Sequence, residues 1–199
     1  MDETTYDAAT ALIVVDMQND FADPAGTLSV AGGEAVVPIV NAEIAEAKAQ
    51  GALVVYTADW HPEHTPHFVT EGGIWPVHCV ADTWGAAFHP DLVLDGPVVH
   101  KGVDGEDGYS GFTTRHPSTE ATRPTELAAL LRDAGITTIV ITGLATDYCV
   151  LATALDGLAE GFAVHVIGEA VRAVELEAGD GVRAMTRMTA AGARLRPGR

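Results

Sequence analysis

The sequence predicts a doubly wound α/β fold built on a mostly parallel sheet, and three observations point there. Short unbroken Val/Ile/Leu runs alternate with longer segments of helical apolar period, which is the pattern of repeated strand–helix units. The runs do not alternate apolar with polar residues, so each strand is expected to be covered on both faces, as parallel strands are. Reactive polar residues stand just after several of the runs, where open α/β sheets bind their ligands. The 199 residues fit one domain, 1–199.

Taken in order, residues 11–15 form an apolar β-prone run ended by Asp16. Residues 33–50 carry apolar side chains at helical spacing and stop at Gly51,. A second strand is expected over 52–57, just before Asp59, and a short one over 98–100, leading into Lys101. Residues 124–134 read as a helix with Pro124 at its start and Gly135 as its stop,. A strand over 137–142, a helix over 147–160 ended by Gly161, a strand over 163–167 and a last helix over 180–191 complete the pattern. Two long connections interrupt it. Residues 59–98 are rich in Pro, His, Trp and Gly, and residues 102–123 are acidic and glycine-rich, resembling a lid or substrate loop. Irregular connections of that length in a compact domain are usually functional.

Composition narrows the function classes. Eleven Lys and Arg against 28 Asp and Glu give a net charge of −17, which repels phosphate backbones and anionic lipid surfaces. Nucleic-acid and membrane partners are therefore not expected. The start, MDETTYDAAT, is acidic, and the ALIVV that follows is too short for a signal-peptide core or a membrane span,. With two cysteines, Cys79 and Cys149, a disulfide scaffold is not expected, and a cytoplasmic location with free thiols is.

Asp16, Asp59, Lys101 and the 143–149 turn all fall at strand ends. Singly, each has a plain structural explanation: a turn cap, a solvated charge, a small buried thiol. Their joint placement favours an active site. The nucleophile of a cysteine is its thiolate, and the free thiol, with a pKa of about 8.5, needs a base or a positive field beside it. Asp16 could supply the first and Lys101 the second. In the first turn of a helix over 147–160, Cys149 would also feel the helix dipole, and the free N–H groups there suit a developing oxyanion.

Asp59, His61, His67 and His78 gather within twenty residues and read as a mononuclear metal site. One divalent ion is expected, with zinc, iron, manganese and cobalt all suited to imidazole and carboxylate ligands. His64 is assigned to solvent, and His89, His100, His116 and His165 to surface or packing roles. Cys79 is read as a packed thiol.

The segments VVDMQNDF, TADWHPEHTPHF, WPVHCV, VVHKG with YSGF downstream, and TGLATDYCV together resemble the nicotinamidases of the isochorismatase-like cysteine hydrolases. The match runs in the same order over nearly the whole chain. The resemblance implies a three-layer α/β/α Rossmann-like fold, hydrolysis of nicotinamide to nicotinic acid and ammonia in NAD salvage, and a small-molecule substrate as partner. A homo-oligomer is compatible with it. It implies Asp16, Lys101 and Cys149 as the catalytic triad, and Asp59, His61 and His78 as metal ligands with His67 as a fourth. Zinc is the first choice of ion, iron or manganese the alternatives. It further implies a substrate ring between Phe21 and Trp75 with Tyr109 lining the pocket, and a cis peptide joining Leu144 to Ala145 so that the N–H groups of Ala145 and Cys149 face the oxyanion. The loop after Lys101 varies in length within the family, which leaves Tyr109 the least anchored of these. Alternatives are a related amidase acting on another small amide, and a non-catalytic metal-binding domain on the same scaffold.

Overall fold

A computed structural model describes residues 6–198; the first five residues of the acidic start lie outside them. β1 (Thr10–Val15) opens a six-stranded sheet. It is followed by the one-turn helix α1 (Asn19–Ala22), α2 (Val37–Ala49) and β2 (Leu53–Asp59). β3 (Val98–Lys101) comes after the long irregular segment. β4 (Thr113–Arg115) and β5 (Thr122–Pro124) form a separate antiparallel ribbon. Then follow α3 (Leu127–Asp133), β6 (Thr138–Leu144), α4 (Leu151–Ala159), β7 (Ala163–Arg172), α5 (Asp180–Ala191) and β8 (Arg194–Arg196).

The strand order is β3-β2-β1-β6-β7-β8 and every pairing is parallel. The chain winds outward one way from β1, then returns to its other side at β6. That reversal puts the switch point between the ends of β1 and β6, the crevice where doubly wound sheets take ligands. All of β1 is buried, as its unbroken apolar run requires,. Leu12 and Val14 face one core with Val37, Val40, Ile44 and Ala47 of α2. Ala11, Ile13 and Val15 face the other core, with side chains of α3, α4 and α5. The architecture is thus α/β/α. Each aliphatic side chain taken from water in this way contributes about 1.5–3 kcal/mol.

Helix α2 shows how local sequence sets a boundary. Its buried positions 37, 40, 44 and 47 follow the helical period. It ends as Gly51 adopts φ +73° and the Ala52 N–H returns to Ala47 O at 2.9 Å, closing the last turn,.

Three expectations need correction. Pro124 does not start a helix: residues 122–124 pair with β4, and α3 begins at Leu127. A proline ending a ribbon strand costs no ladder bond when its missing N–H faces outward. The strand expected over 163–167 runs on to Arg172, past a bulge in its pairing with β6. The helix expected over 147–160 opens instead with a π turn, Thr146–Val150, before α4. Among the described residues no helix is long and apolar enough to cross a membrane.

Two glycines separate close packing from conformational freedom. At Gly143, φ +106°, an added Cβ would stand 2.0 Å from the Val15 carbonyl oxygen. At Gly51, φ +73°, it would meet nothing within 4 Å. Gly143→Ala is expected to lower unfolding free energy by more than ~2 kcal/mol. Gly51→Ala should cost only ~1 kcal/mol. Urea unfolding of the two variants measures the gap, and equal losses would contradict the packing argument.

Candidate active site

The carboxyl ends of β1, β2, β3 and β6 bring four reactive side chains into one buried cluster. Asp59 and Lys101 are register partners at the ends of β2 and β3. Asp16, at φ +47°, turns the chain sharply off β1; its N–H donates to Thr57 O at 3.2 Å. Thr57 in turn donates its hydroxyl to Asp16 Oδ1 at 2.7 Å. Asp16, Lys101 and Cys149 are all buried.

Lys101 is the hub. Its Nζ lies 2.8 Å from Asp16 Oδ2 and 3.7 Å from Cys149 Sγ, and it also contacts Asp59 Oδ1. Asp16 thus turns one oxygen to the Lys101 ammonium and the other to the Thr57 hydroxyl. Burial favours the neutral amine, but the two carboxylates outweigh it and hold Lys101 firmly protonated,. Burial likewise raises Asp59, yet the Lys101 charge and contacts from His61 and His78 hold its carboxyl well below the usual range. For Asp16 burial wins: with Asp59 adding to it and Lys101 opposing, the carboxyl sits above its ordinary value and is a stronger base than a free aspartate,.

Cys149 departs from expectation. A helix start beside a cation was expected to favour thiolate. Burial instead pushes the thiol well above its usual value; Lys101 pulls it back, and Asp16 and Asp59 push it further up. The sulfur therefore holds its proton more tightly than a free thiol does,. Around it the backbone follows the resemblance. Leu144–Ala145 is cis, and the Ala145 carbonyl takes the N–H groups of Tyr148 and Val150 at 3.1 and 3.0 Å, bypassing that of Cys149.

The histidines form the second half of the site. His61, His67 and His78 are buried, with one ligand atom from each within 4.8 Å of the others. Asp59 Oδ2 lies 3.7 Å from His61 Nε2 and 3.8 Å from His78 Nε2. It reaches two of the three, while its other oxygen faces Lys101. Gln18 sets this residue in place: its amide accepts from the Asp59 N–H at 2.8 Å and donates to the Asp59 carbonyl at 2.7 Å. Asp20 accepts the Cys79 N–H at 2.7 Å, anchoring the turn that carries His78. Both ring nitrogens of His61 lack hydrogen-bond partners among the described residues, an orphaned state that a bound cation would relieve. Burial, opposed by Asp59, lowers the His61 pKa and favours the neutral, ligating ring,. The donor set suits a divalent metal.

The cluster opens onto a small pocket, with about 420 Å³ of empty space once the open solvent at its mouth is counted. Phe21, Trp75 and Tyr109 line it, with Cys149, His67 and His78 exposed to its interior. Trp75 Nε1 donates to Tyr109 Oη at 3.0 Å. Tyr148 packs edge-on against both, at centroid distances of 4.9 and 5.2 Å. Tyr148 was missed in the sequence although it precedes Cys149; Thr57, Gln18 and Asp107 were missed as well. His64 is exposed beside Glu71, as assigned. His89 and His165 are buried outside the cluster, His100 packs on Trp60 and His116 contacts Ser118. Cys79 is a packed thiol, pushed well up by burial.

Cobalt(II) tests the histidine cluster. The wild-type protein is expected to bind one ion per chain with visible ligand-field absorption, and His61→Ala and His78→Ala to lose it. Unaltered spectra in both variants would remove the cluster as a metal site.

Comparison with known proteins agrees with this geometry. The isochorismatase domain matches residues 10–197. The nicotinamidase of Escherichia coli is 36% identical over 203 residues, covering 93% of each chain. The pyrazinamidase of Pyrococcus horikoshii, solved in complex with zinc, superposes with a TM-score of 0.85 at 42% identity, covering 95% of this chain and 99% of the other. PnC1 from L. infantum, solved in complex with nicotinate, gives 0.88 at 35% identity, covering 98% and 96%. The domain match, the parallel sheet order and these relatives agree, and the chain belongs to the isochorismatase-like hydrolase family, alongside its nicotinamidases.

Proposed function

We propose that the protein is a metal-containing cysteine amidohydrolase that converts nicotinamide to nicotinic acid and ammonia through a thioester on Cys149. One observation carries the reading: a buried thiol 3.7 Å from a lysine ammonium that is itself 2.8 Å from Asp16, at the floor of an aromatic-walled pocket. The similarity to nicotinamidases and to a nicotinate-bound structure supports the choice of substrate. The zinc-bound neighbour supports zinc among the divalent ions. Nicotinate formed this way would feed pyridine-nucleotide salvage. Two free cysteines suit a reducing cytoplasm,.

The pocket orients the substrate first. Phe21 and Trp75 offer flat apolar faces to a pyridine ring,, which places the carboxamide over Cys149. When bound, a divalent ion held by Asp59, His61, His67 and His78 would supply Lewis acidity and anchor a ring nitrogen. Asp16 then takes the proton of the Cys149 thiol as the sulfur attacks the amide carbon. Its raised pKa suits this work, since it narrows the gap to a thiol that burial has also raised,. The Ala145 and Cys149 N–H groups receive the oxyanion. Loss of one such donor typically costs about 2.7–4 kcal/mol of barrier.

Collapse of the intermediate breaks the C–N bond, and Asp16 returns its proton to the departing nitrogen, releasing ammonia. A thioester remains on Cys149. Water gives a proton to Asp16 and adds to the thioester carbon; the C–S bond breaks and the proton passes to sulfur. Lys101 stays charged throughout and offsets whichever of Asp16 and Cys149 is anionic.

Cys149→Ala is expected to reduce ammonia release from nicotinamide by at least ~10⁴-fold while leaving metal content and fold unchanged. Metal content by atomic absorption and a coupled ammonia assay on the same sample give the answer. Substantial residual turnover in a correctly folded, metal-loaded variant would refute the nucleophile assignment.

A further inference from the structure

Asp107 lies in the glycine-rich segment between β3 and β4 and takes no part in the chemistry above. Its carboxylate nevertheless reaches a histidine of the cluster. Oδ1 is 3.3 Å from His67 Nδ1 and accepts the Gly108 N–H at 2.6 Å, while Oδ2 accepts from Arg115 Nη2 at 2.5 Å. The backbones of the same two residues are also bonded. The Asp107 N–H donates to Arg115 O at 2.7 Å, and the Arg115 N–H to Asp107 O at 2.5 Å. Arg115 closes β4, so the ribbon braces Asp107 from behind.

An imidazole whose Nδ1 is held by a carboxylate carries its proton there and directs the Nε2 lone pair outward, which is how ligating histidines are oriented. His78 uses a milder form, with Nδ1 2.7 Å from the Pro76 carbonyl. Asp107 also heads the pocket wall: Gly108 lines the pocket, and Tyr109 beside it accepts the Trp75 indole N–H. One carboxylate therefore joins a cluster histidine, the ribbon and the substrate wall.

We propose that Asp107, braced by Arg115, is a positioning residue that holds the His67 ring for metal binding and ties the pocket wall at 107–109 to the metal site. Linkage then makes the coupling reciprocal: a bound ion steadies the wall, and an ordered wall strengthens ion binding. The inference rests on the reading of His67 as a ligand.

Two measurements on metal-free protein test it, using zinc alone. Zinc affinity by competition with a chromophoric chelator is expected to fall about 10–100-fold in Asp107→Ala, with Asp107→Asn between it and wild type. The asparagine variant keeps the shape of the side chain and guards against a folding defect. A merely structural role would lower the metal-free melting temperature and leave zinc affinity unmoved. Tryptic cleavage after Arg115 should be slowed by zinc in wild type and much less so in Asp107→Ala. Zinc affinity equal to wild type in both variants, or equal protection from trypsin, overturns the proposal. If His67→Ala binds zinc as wild type does, the ligand reading itself fails and the proposal with it. If His67→Ala loses zinc while the Asp107 variants do not, only the proposal falls.

Discussion

A single buried ammonium holds the site together. Lys101 is enclosed at the end of β3 with carboxylates of Asp16 and Asp59 on two sides and the Cys149 sulfur on a third. Burying one isolated charge costs several kcal/mol even after relaxation, and each of these charges is tolerable only because the others are there. The cluster also divides Asp59 between two tasks. One oxygen faces Lys101 and the other faces His61 and His78, so the thiol half and the histidine half of the cluster share one residue. Two carboxylates against one ammonium leave the centre net negative. A divalent cation beside Asp59 therefore suits the electrostatics as well as the ligand geometry.

The fold supplies this arrangement without special devices at most positions. Parallel pairing with Asp59 opposite Lys101 puts two partners side by side, and the β1–β6 reversal brings Asp16 towards the Cys149 turn. Side chains in and beside the sheet then fix the orientations. Thr57 orients Asp16, Gln18 clamps both sides of the Asp59 peptide, and Asp20 anchors the turn at Cys79. Asp59 and Lys101 thus stand on strands and Asp16 and Cys149 just past them, while the 59–98 and 102–123 connections carry the histidines and part of the pocket wall. This is the usual division between scaffold and recognition loops.

How much was legible in the sequence follows from the same division. β1, β2 and β6 were readable because strands covered on both faces are unbroken apolar runs, and the residues capping them were readable because reactive types recur there. β8 was not: Arg-Leu-Arg is a three-residue edge strand with two charges, and nothing in its pattern separates it from coil,. β7 was cut short because Gly168 and Glu169 break its apolar run where the pairing bulges. At the site, the placement of Asp16, Asp59, Lys101 and Cys149 came from local pattern, and of the histidines from spacing. Asp107 and Gln18 were invisible, since their roles depend on contacts 40 or 41 positions away along the chain. The balance of effects on Cys149 was hidden for a related reason. A helix start argues for thiolate, but burial, which only the folded chain reveals, weighs more.

The claim that Lys101 governs both carboxylates and the thiol is tested most directly by the pH dependence of Cys149 alkylation, followed by peptide mass spectrometry in wild type and Lys101→Met. Methionine keeps the length and apolar stem while deleting the charge. Because the ammonium draws the thiol pKa down, its loss should move the alkylation midpoint to higher pH. A midpoint that stays in place in a folded variant would contradict the account.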